Sequence, residues 1–520
     1  MATHRLHPDP QFDKLDLMAE FERILIANRT DCARRIARTC IELGKTPIVL
    51  YTADDKESLH VKEAVEAYEI PNYGDLRSII EVGQRMEVDA IHPGWGFVSE
   101  NPKFPKACEK AGVIFIGPSE ETMRKAGDKE RIKRAAKKLA VPVIDSSSRV
   151  KKSNISEWAA RNGLSDEENS VPVMLKAAKS GGGTGNKVVY RLSNLEEEVS
   201  NLKNSSQKLW GRSRIFAERL VRNPRHVEVQ LFGDENGNLI HLGSRDCTVQ
   251  YEQKVIEEAP APFLTLGQEK LIHEYALAIG KSIEYTGAGT AEFLMSRDGE
   301  ILFMEFNPRL QVEHGITEMI TNLDLVKLQI LVAEGKRLPS QKKIKFRGSA
   351  IEARVDALTI YDAHPERLIT TGGMVEDIEF PKGENVRVDH ALYKGYEINT
   401  RYNRTQAKVM AWSSDRSGAI ENLKSALEDF KIDGVITNIP LLNSALSHEK
   451  FVRGEHSTTF FEEMLREMAE KRRIEKEMAG AIGAGVALAF QERQENEKVL
   501  AHQEVFSPWR HFGRIVQMRR

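Results

Sequence analysis

Two segments in the middle of the chain place polar side chains inside apolar sequence. The first, MEFNPRLQVEH at 304–314, puts Glu305 and Asn307 on one face of a strand, because alternate residues of a strand share a face. The second, GAGTAEF at 287–293, puts Glu292 on the preceding strand. Carboxylate and amide oxygens are the ligands that a hard cation such as Mg²⁺ prefers. If the two strands are neighbours, these three side chains converge on one metal ion.

A glycine-rich segment, KAAKSGGGTG at 176–185, follows an apolar strand. Glycines lack a Cβ, so backbone N–H groups can approach phosphate oxygens closely. The order GxxxxGK[ST] is absent, which excludes that type of phosphate loop. Lys176 and Lys129 could supply cations to phosphates. From these residues alone a linker for the glycines, and ordinary surface positions for the lysines, stay open as alternatives.

Composition and charge indicate a soluble, multidomain protein of enzyme size. The chain has 520 residues, of which 41% are apolar, and its 75 basic and 77 acidic residues give a net charge of -2. We therefore expect neither nucleic acid nor an anionic membrane surface as a partner. The longest apolar run, 478–490, is shorter than the roughly 20 residues of a spanning helix, so no membrane span is expected. Four cysteines without CxxC spacing favour a reducing cytoplasm: Cys32, Cys40, Cys108 and Cys247.

The order of predicted elements divides the chain into five parts. Strands and helices alternate after residue 21, which predicts a doubly wound parallel sheet. A small unit with the glycine-rich turn follows, and then alternating strands joined by turns predict an antiparallel sheet. The predicted boundaries are an arm at 1–20, an N-terminal domain at 21–140, a lid at 141–220, a larger domain at 221–462 and a helical tail at 463–520.

The tail combines a charged helical segment, an Ala/Gly run and a basic end with Trp509 and several arginines. A solvated helix is one interpretation of the charges. A docking segment for a partner protein is the other, because Trp and Arg are favoured anchors at interfaces.

Taken together, the motifs resemble those of the biotin carboxylases, ATP-grasp enzymes that occur as separate subunits or as parts of acyl-CoA and pyruvate carboxylases. The resemblance runs from about Phe21 to Glu462. It rests on ILIANR, HPGWGFVSEN, IFIGPS, GDK, NPRHVEVQ, SRDCTVQ, QKVIEEAPAP, EFNPRLQVEH and IEARVDA, in that order. The implied fold is α/β and α+β, with an N-terminal doubly wound parallel sheet, an ATP-grasp lid and a C-terminal mixed or antiparallel sheet.

The resemblance also implies the roles of individual residues. The ATP site would contain Lys129, Lys176, Gly182, Gly183, Glu218, Val221, His226 and Gln250. Bicarbonate would be bound by Lys254, Arg309, Gln311 and the backbone of Val312. Catalysis would depend on Lys254, Arg309, the base Glu313, and Arg354 at the enolate-like oxygen of biotin. The metal, Mg²⁺ or Mn²⁺, would be bound by Glu292, Glu305 and Asn307.

The implied activity is that of an ATP-dependent ligase that carboxylates biotin with bicarbonate. No AMKM segment, whose lysine carries biotin in carrier domains, occurs in the chain, so biotin is expected on a separate biotin carboxyl carrier protein. Carboxyltransferase subunits are expected partners, in a homodimer or a larger complex in the cytoplasm. Two alternatives stay open: a catalytically weakened scaffold subunit, and another ATP-grasp ligase. Structural ion pairs would be the alternative role of the charged site residues.

Several segments depart from the family pattern, among them the glycine-rich loop at Thr184, the stretch 357–373 and the three that follow. Glu252 stands where a histidine usually precedes Gln253-Lys254, in a loop one residue shorter than usual, so we expect an altered nucleotide contact. Trp95 replaces a tyrosine, and the stretch 402–405 differs from the usual Tyr-Tyr-Asp. These changes are expected to affect biotin contacts and dimer packing.

Overall fold

The computed structural model describes residues 20–147, 155–177, 186–210, 214–361, 364–399 and 404–503. The glycine-rich turn, with Gly182 and Gly183, and nearly all of the predicted N-terminal arm lie outside these ranges. Contacts divide the chain into two units. The first contains residues up to Thr359 together with Leu368–Phe461, and the second contains Ile360–Arg367 and the residues from Glu462 onward. All the candidate site residues belong to the first unit.

The chain begins with a parallel sheet of the predicted type. Its elements are β1 (Arg23–Ile26), α1 (Thr30–Glu42), β2 (Thr46–Tyr51), α2 (Leu59–Lys62), β3 (Glu66–Glu69), α3 (Leu76–Arg85), β4 (Ala90–His92), α4 (Lys103–Ala111), β5 (Ile114–Phe115), α5 (Glu120–Gly127) and α6 (Lys129–Lys138). The strand order is β3-β2-β1-β4-β5, and every pair is parallel. Ile24 and Ile26 enter one apolar core and Leu25 enters another, so β1 is buried on both faces.

A small antiparallel sheet follows. Its elements are α7 (Ile155–Arg161), β6 (Val173–Ala177), β7 (Asn186–Val189), α8 (Leu195–Trp210) and β8 (Ile215–Arg219), with the strand order β7-β6-β8. Leu175, Val189 and Ala217 belong to a core cluster of its own. The strand β6 carries Lys176, and β8 carries Glu218. The predicted domain boundaries stay predictions.

An eight-stranded antiparallel sheet forms the next part, as the alternating strands predict. Its strand order is β13-β12-β9-β10-β11-β14-β21-β19. The elements of this part as far as residue 333 are β9 (Arg225–Gly233), β10 (Leu239–Tyr251), β11 (Gln253–Ala259), α9 (Leu266–Ser282), β12 (Gly287–Met295), β13 (Ile301–Asn307), α10 (His314–Thr321) and α11 (Leu325–Ala333). The capping box between Thr265 and Gln268 fixes the start of α9.

The remaining elements include the last strands of this sheet, β14, β21 and β19. In chain order the remaining elements are β14 (Ser349–Asp356), β15 (Leu358–Tyr361), β16 (His364–Thr370), β17 (Gly373–Met374), β18 (Asp377–Glu379), β19 (Val386–His390), β20 (Glu397–Ile398), β21 (Thr405–Ser413), α12 (Arg416–Asp429), β22 (Lys431–Asp433), α13 (Ile439–Ser447), α14 (Glu449–Val452) and α15 (Phe460–Gln503).

The helix α15 is longer than the charged segment for which the sequence predicts a helix. It continues through the Ala/Gly run at 478–490. Alanine has the highest helix propensity, so this run sustains the helix despite its three glycines. Within the described residues, no helix is both long enough and apolar enough to span a bilayer.

Candidate active site

The strands β12 and β13 are neighbours, and their register brings the predicted metal ligands together. Glu292 lies directly opposite Glu305, and Thr290 lies opposite Asn307. The Asn307 amide donates to Glu292 Oε1 at 2.7 Å. Two carboxylates opposite each other repel unless cations compensate them. The set offers only oxygen ligands for a cation, and this chemistry fits Mg²⁺.

Lysines compensate the two carboxylates. Lys129 Nζ lies 2.6 Å from Glu305 Oε2, and Lys254 Nζ lies 3.2 Å from Glu292 Oε1. Burial is the largest influence and raises the pKa of Glu305, but the charge and hydrogen bond of Lys129 and the charge of Lys176 together lower the net pKa. Likewise Lys254 and then His226 overcome burial and lower the pKa of Glu292. Both side chains are therefore carboxylates at neutral pH.

A second cationic group surrounds Glu218 on β8. Lys176 Nζ lies 2.9 Å from Glu218 Oε2, and Lys133 binds the other carboxylate oxygen. Burial alone would raise the pKa of Glu218, but these two lysines lower it to about 2. Asp128 caps α6 by accepting from the Glu130 and Arg131 N–H groups, which places Lys129 in the first turn.

Lys133 is a site residue that sequence reasoning missed. It follows Lys129 by four residues on α6, so the two side chains share one helix face. This spacing was the available signal. Together Lys129, Lys133 and Lys176 form a patch of three lysines next to the carboxylate pair, and this patch suits phosphate oxygens.

His226 and Gln250 lie next to Glu292. His226 Nε2 is 3.1 Å from Glu292 Oε2, and the Gln250 amide donates to His226 Nδ1 at 3.1 Å. Because the Gln250 amide nitrogen can only donate, Nδ1 accepts and Nε2 donates, and the ring thereby orients the Glu292 carboxylate. Val221 lies half-buried in the loop between β8 and β9.

Lys254 on β11 contacts three carboxylates. Its Nζ lies 2.6 Å from Glu228 Oε2 and from Glu313 Oε1, in addition to Glu292. Burial lowers the pKa of Lys254, but Cys247 and the three glutamates hold it well above its usual range. The ammonium group thus joins the metal-ligand set to the predicted base.

Glu228 is a further residue that sequence reasoning missed. It is fully buried on β9 and binds Arg245 as well as Lys254. In the motif HVEVQ the polar residues His226, Glu228 and Gln230 alternate with two valines, so they share one face of the strand. This alternation was a sequence signal for Glu228.

Glu313 is held between two cations. Its Oε1 accepts from Lys254, and its Oε2 lies 3.0 Å from Arg354 Nη2. Burial would raise the pKa of Glu313, but Lys254 and Arg354 hold it well below its usual range. Arg354 also donates from Nε to Glu257 at 2.7 Å.

Arg309 is oriented by two neighbours. Its Nε donates to Glu100 Oε1 at 2.5 Å, and its Nη1 donates to Gln311 Oε1 at 2.7 Å. The Gln311 amide in turn donates to Glu292 Oε1 at 3.1 Å. The carbonyl of Val312 accepts from Lys408 Nζ at 3.1 Å. Glu100 lies in the quoted motif HPGWGFVSEN but was not singled out as a site residue, nor was Lys408.

Two of the departures from the family pattern are in contact. Arg404 Nη1 lies 3.3 Å from Glu252 Oε2, its Nη2 donates to the Tyr251 carbonyl at 2.6 Å, and its Nε donates to Asp356 at 2.8 Å. Another departure, Trp95, has Lys408 Nζ 4.6 Å from its ring centroid. That distance is typical of a cation–π contact.

Three family descriptions match the sequence. Residues 20–123 match "Biotin carboxylase, N-terminal domain", residues 128–341 match "Carbamoyl-phosphate synthase L chain, ATP binding domain", and residues 352–463 match "Biotin carboxylase C-terminal domain".

Several relatives match over nearly their whole length. A biotin carboxylase of Halalkalibacterium halodurans is 38% identical, over 85% of this chain and 97% of the relative. The 2-oxoglutarate carboxylase small subunit of Hydrogenobacter thermophilus is 38% identical, over 85% of this chain and 93% of the relative. Among solved structures, the biotin carboxylase domain dimer of Hydrogenobacter thermophilus 2-oxoglutarate carboxylase, crystallised with MgADP, ADP and bicarbonate, has a TM-score of 0.81 at 37% identity. That match covers 85% of this chain and 97% of the solved chain.

These comparisons confirm the predicted fold class and the prediction of an ATP-dependent ligase. The motifs that suggested the resemblance lie between residues 20 and 463, the span that the three family descriptions match with two short gaps. The chain belongs to the biotin carboxylase family.

Proposed function

We propose that this chain carboxylates biotin on a separate biotin carboxyl carrier protein, with ATP, Mg²⁺ and bicarbonate as its other reactants and cofactor. The observation that carries the proposal is the position of Lys254. Its ammonium group contacts both Glu292, in the metal-ligand set, and Glu313, the predicted base. A small anion bound there would lie next to the phosphates of a nucleotide held by the three lysines.

Glu292, Glu305 and Asn307 would hold the metal ion, and Lys129, Lys133 and Lys176 would hold phosphate oxygens. A bound Mg²⁺ ion neutralises the phosphate charge that develops during phosphoryl transfer. The lysines now neutralise Glu218 and Glu305. When the nucleotide binds, each lysine would exchange a carboxylate partner for a phosphate oxygen. The negative charge next to each lysine would therefore change little.

Arg309, Gln311 and Lys254 would bind bicarbonate, and Glu313 would remove its proton. A guanidinium binds a planar carboxylate-like anion through paired hydrogen bonds. The low pKa of Glu313 makes it a weak base while both of its cations are attached. When bicarbonate takes over part of the charge of Lys254, the pKa of Glu313 rises towards a value at which it accepts the proton.

Deprotonated bicarbonate would attack the γ-phosphorus while the bond to the ADP oxygen breaks. The resulting carboxyphosphate would separate into CO₂ and phosphate. Phosphate would take the ureido N–H proton of biotin, and the nitrogen would then bond to CO₂. Arg354 would stabilise the enolate-like oxygen that appears when the proton leaves, because its charge is already fixed at that place.

The proposed partners are the carrier protein and carboxyltransferase subunits, in a homodimer or a larger complex. Support comes from relatives that are named as subunits, such as the 2-oxoglutarate carboxylase small subunit, and from the solved dimer. The tail from 464 onward lies outside all three family matches and is a candidate docking segment. We also propose a cytoplasmic location, because all four cysteines are free and buried.

The test is a phosphate-release assay with the purified full-length chain, free biotin, bicarbonate and Mg-ATP. We expect phosphate release that increases when biotin is added. The variant Glu313→Gln should lose this biotin-dependent part. If no ATP concentration gave biotin-dependent turnover, the scaffold alternative would replace the proposal.

A further inference from the structure

Two glutamates that the proposed mechanism does not use lie behind Arg354. Glu257 on β11 and Glu352 on β14 are directly paired across the two antiparallel strands. Directly opposite residues point to the same face and have neighbouring side chains. Both side chains are fully buried. Like charges in such a position are destabilising.

The hydrogen bonds of this pair are incomplete if both groups are carboxylates. Glu257 Oε1 accepts from Arg354. Glu257 Oε2 and both oxygens of Glu352 have no hydrogen-bond partner among the described residues. A buried carboxylate without partners is strongly unfavourable, and such groups bind a proton instead. A proton between the two side chains would satisfy one orphaned oxygen of each glutamate.

Nearby cations do not replace the proton that the Glu257 and Glu352 pair requires. Lys408, the cation on the neighbouring strand β21, is already engaged by the Val312 carbonyl, Asp31 and the Trp95 ring. Lys254 is shared by three other glutamates. The charged and titratable groups that act on Glu257 or Glu352 are Cys247, Lys254, Glu313, Arg354 and Lys408. Asp31, Arg387 and Asp389 act in turn on Lys408.

Electrostatics agrees with the geometry. Burial raises the pKa of Glu257 to about 7 against the opposing effect of Arg354. Burial, and then the charge of Glu257, raise the pKa of Glu352 well above its usual range. Both shifts favour a proton on the pair, and since Arg354 binds Glu257 whereas Glu352 has no partner among the described residues, Glu352 is the side chain suited to carry it.

We propose that Glu352 is a protonated carboxylic acid whose O–H donates to Glu257, and that the two residues form a proton-sharing pair that positions Arg354. The role of Arg354 in this proposal rests on the proposed function. With one proton the pair carries a single negative charge, which Arg354 balances. Arg354 Nη2 lies 2.6 Å from Glu257 Oε1 and 3.0 Å from Glu313 Oε2. The pair and the base thus compete for one guanidinium.

Loss of the shared proton would change this competition. A second buried negative charge next to Glu257 would attract Arg354 away from Glu313 and from the developing oxygen of biotin. Biotin-dependent turnover should therefore fall on the alkaline side, as the pair loses its proton. Glu352→Gln keeps a hydrogen-bond donor of the same shape but has no proton to lose.

Infrared difference spectroscopy of the full-length chain tests the pair directly, without any substrate. We expect a carboxylic acid C=O band at neutral pH that shifts in D₂O and disappears in Glu352→Gln. The control Glu318→Gln removes another buried glutamate, whose pKa is lowered by Arg35 and Arg387, and should leave the band in place. Because this readout needs no turnover, it separates the pair from the proposed activity.

Kinetics supplies the second readout. In Glu352→Gln the alkaline limb of the biotin-dependent kcat profile should move upward by about one pH unit or more. A band that persists in Glu352→Gln overturns the proposal, and so does an alkaline limb that stays in place in a folded variant. If Glu352→Gln fails to fold, Glu257→Gln replaces the acceptor of the hydrogen bond. The band should then change frequency, and an unmoved band would overturn the pair.

Discussion

Arg404 and Glu252 form an ion pair with 3.3 Å between Nη1 and Oε2, and both lie in segments that are expected from the sequence to differ from the family pattern. The pair lies beside the turn between β10 and β11, two residues before Lys254. Arg404 is mostly buried there, whereas Glu252 is mostly exposed. The guanidinium also holds the Tyr251 carbonyl and Asp356. Arg404 therefore holds the turn at Tyr251 and Glu252 in place, and the two departing segments contact each other.

Replacing Arg404 and replacing Glu252 should lower the free energy of unfolding by different amounts. Arg404→Ala leaves the buried Asp356 without its ion-pair partner, which costs about 3–5 kcal/mol in comparable cases. Glu252→Ala removes an exposed carboxylate and should cost less than about 1 kcal/mol. Urea unfolding of both variants measures the difference. Equal effects would show that Asp356 does not depend on Arg404.

The sequence predicted the architecture and part of the candidate site where the signal is local. Strand alternation placed Glu305 and Asn307 on one face, whereas the resemblance to the biotin carboxylases, and no local signal, placed Lys254 and Glu313 in one region. Contacts between distant segments left no local signal. Lys408 reaches Val312 across 96 residues, and Glu100 reaches Arg309 across 209. The Glu257 and Glu352 pair likewise depends on the register of β11 against β14, which periodicity does not reveal.

Removing a single proposed metal ligand should abolish activity without unfolding the protein. Glu305 is partly exposed and pairs with Lys129, so Glu305→Gln leaves no fully buried charge unpaired. We expect at least about a 100-fold loss of Mg-dependent ATP hydrolysis with little change in the thermal midpoint. Glu300→Gln, at the start of the same strand pair, removes an exposed ion pair with Arg219 and serves as the matched control. A fully active Glu305→Gln enzyme would exclude this residue from the metal site.

Glu100 should affect bicarbonate more than ATP. It binds Arg309 Nε, while the contacts of the lysine patch do not involve it. Glu100→Gln weakens a charge-assisted hydrogen bond that fixes the guanidinium, so the KM for bicarbonate should rise by about 3–30-fold. The KM for ATP should stay within about twofold, since phosphate positioning is unchanged. Initial rates at varied bicarbonate and ATP distinguish the two. A lower KM for bicarbonate would instead show that Glu100 competes with the substrate for Arg309.

The lysines around Glu218 should make stability dependent on pH in the acid range. The pKa of this carboxyl is lowered from 4.5 to about 2 by Lys176 and Lys133, after burial is overcome. The folded form therefore binds fewer protons than the unfolded form between these values. The resulting stabilisation is complete above pH 4.5 and is lost as the pH falls towards 2. Chemical unfolding of the wild-type chain and of Glu218→Gln at several pH values measures this.

For Glu218→Gln we expect lower stability at neutral pH, because two lysines lose their shared partner. Its free energy of unfolding should also fall less steeply with acid than that of the wild type. An identical slope for both proteins would show that other carboxylates control the acid transition.

The tail should be dispensable for the chemistry but required for assembly. The helix α15 begins at Phe460, and both Phe460 and Phe461 are buried, so a chain that ends at Glu470 keeps these anchors. Farther along, Ile474, Met478, Ile482 and Val486 are exposed at intervals of four residues and form an apolar stripe on one helix face. Such a stripe is typical of a helix that packs against a partner. Free-biotin carboxylation by the truncated chain should therefore stay within about twofold of the full-length rate, since no proposed site residue is removed.

Co-purification from the native host tests the other half of this prediction. The full-length chain should retain its carrier or transferase subunits, and the truncated chain should lose them. Replacing only Ile474 and Ile482 by Glu keeps the length and the helix but disrupts the stripe, so this variant should lose the same partners. Unchanged co-purification of both variants would place the partner contacts on the first unit instead.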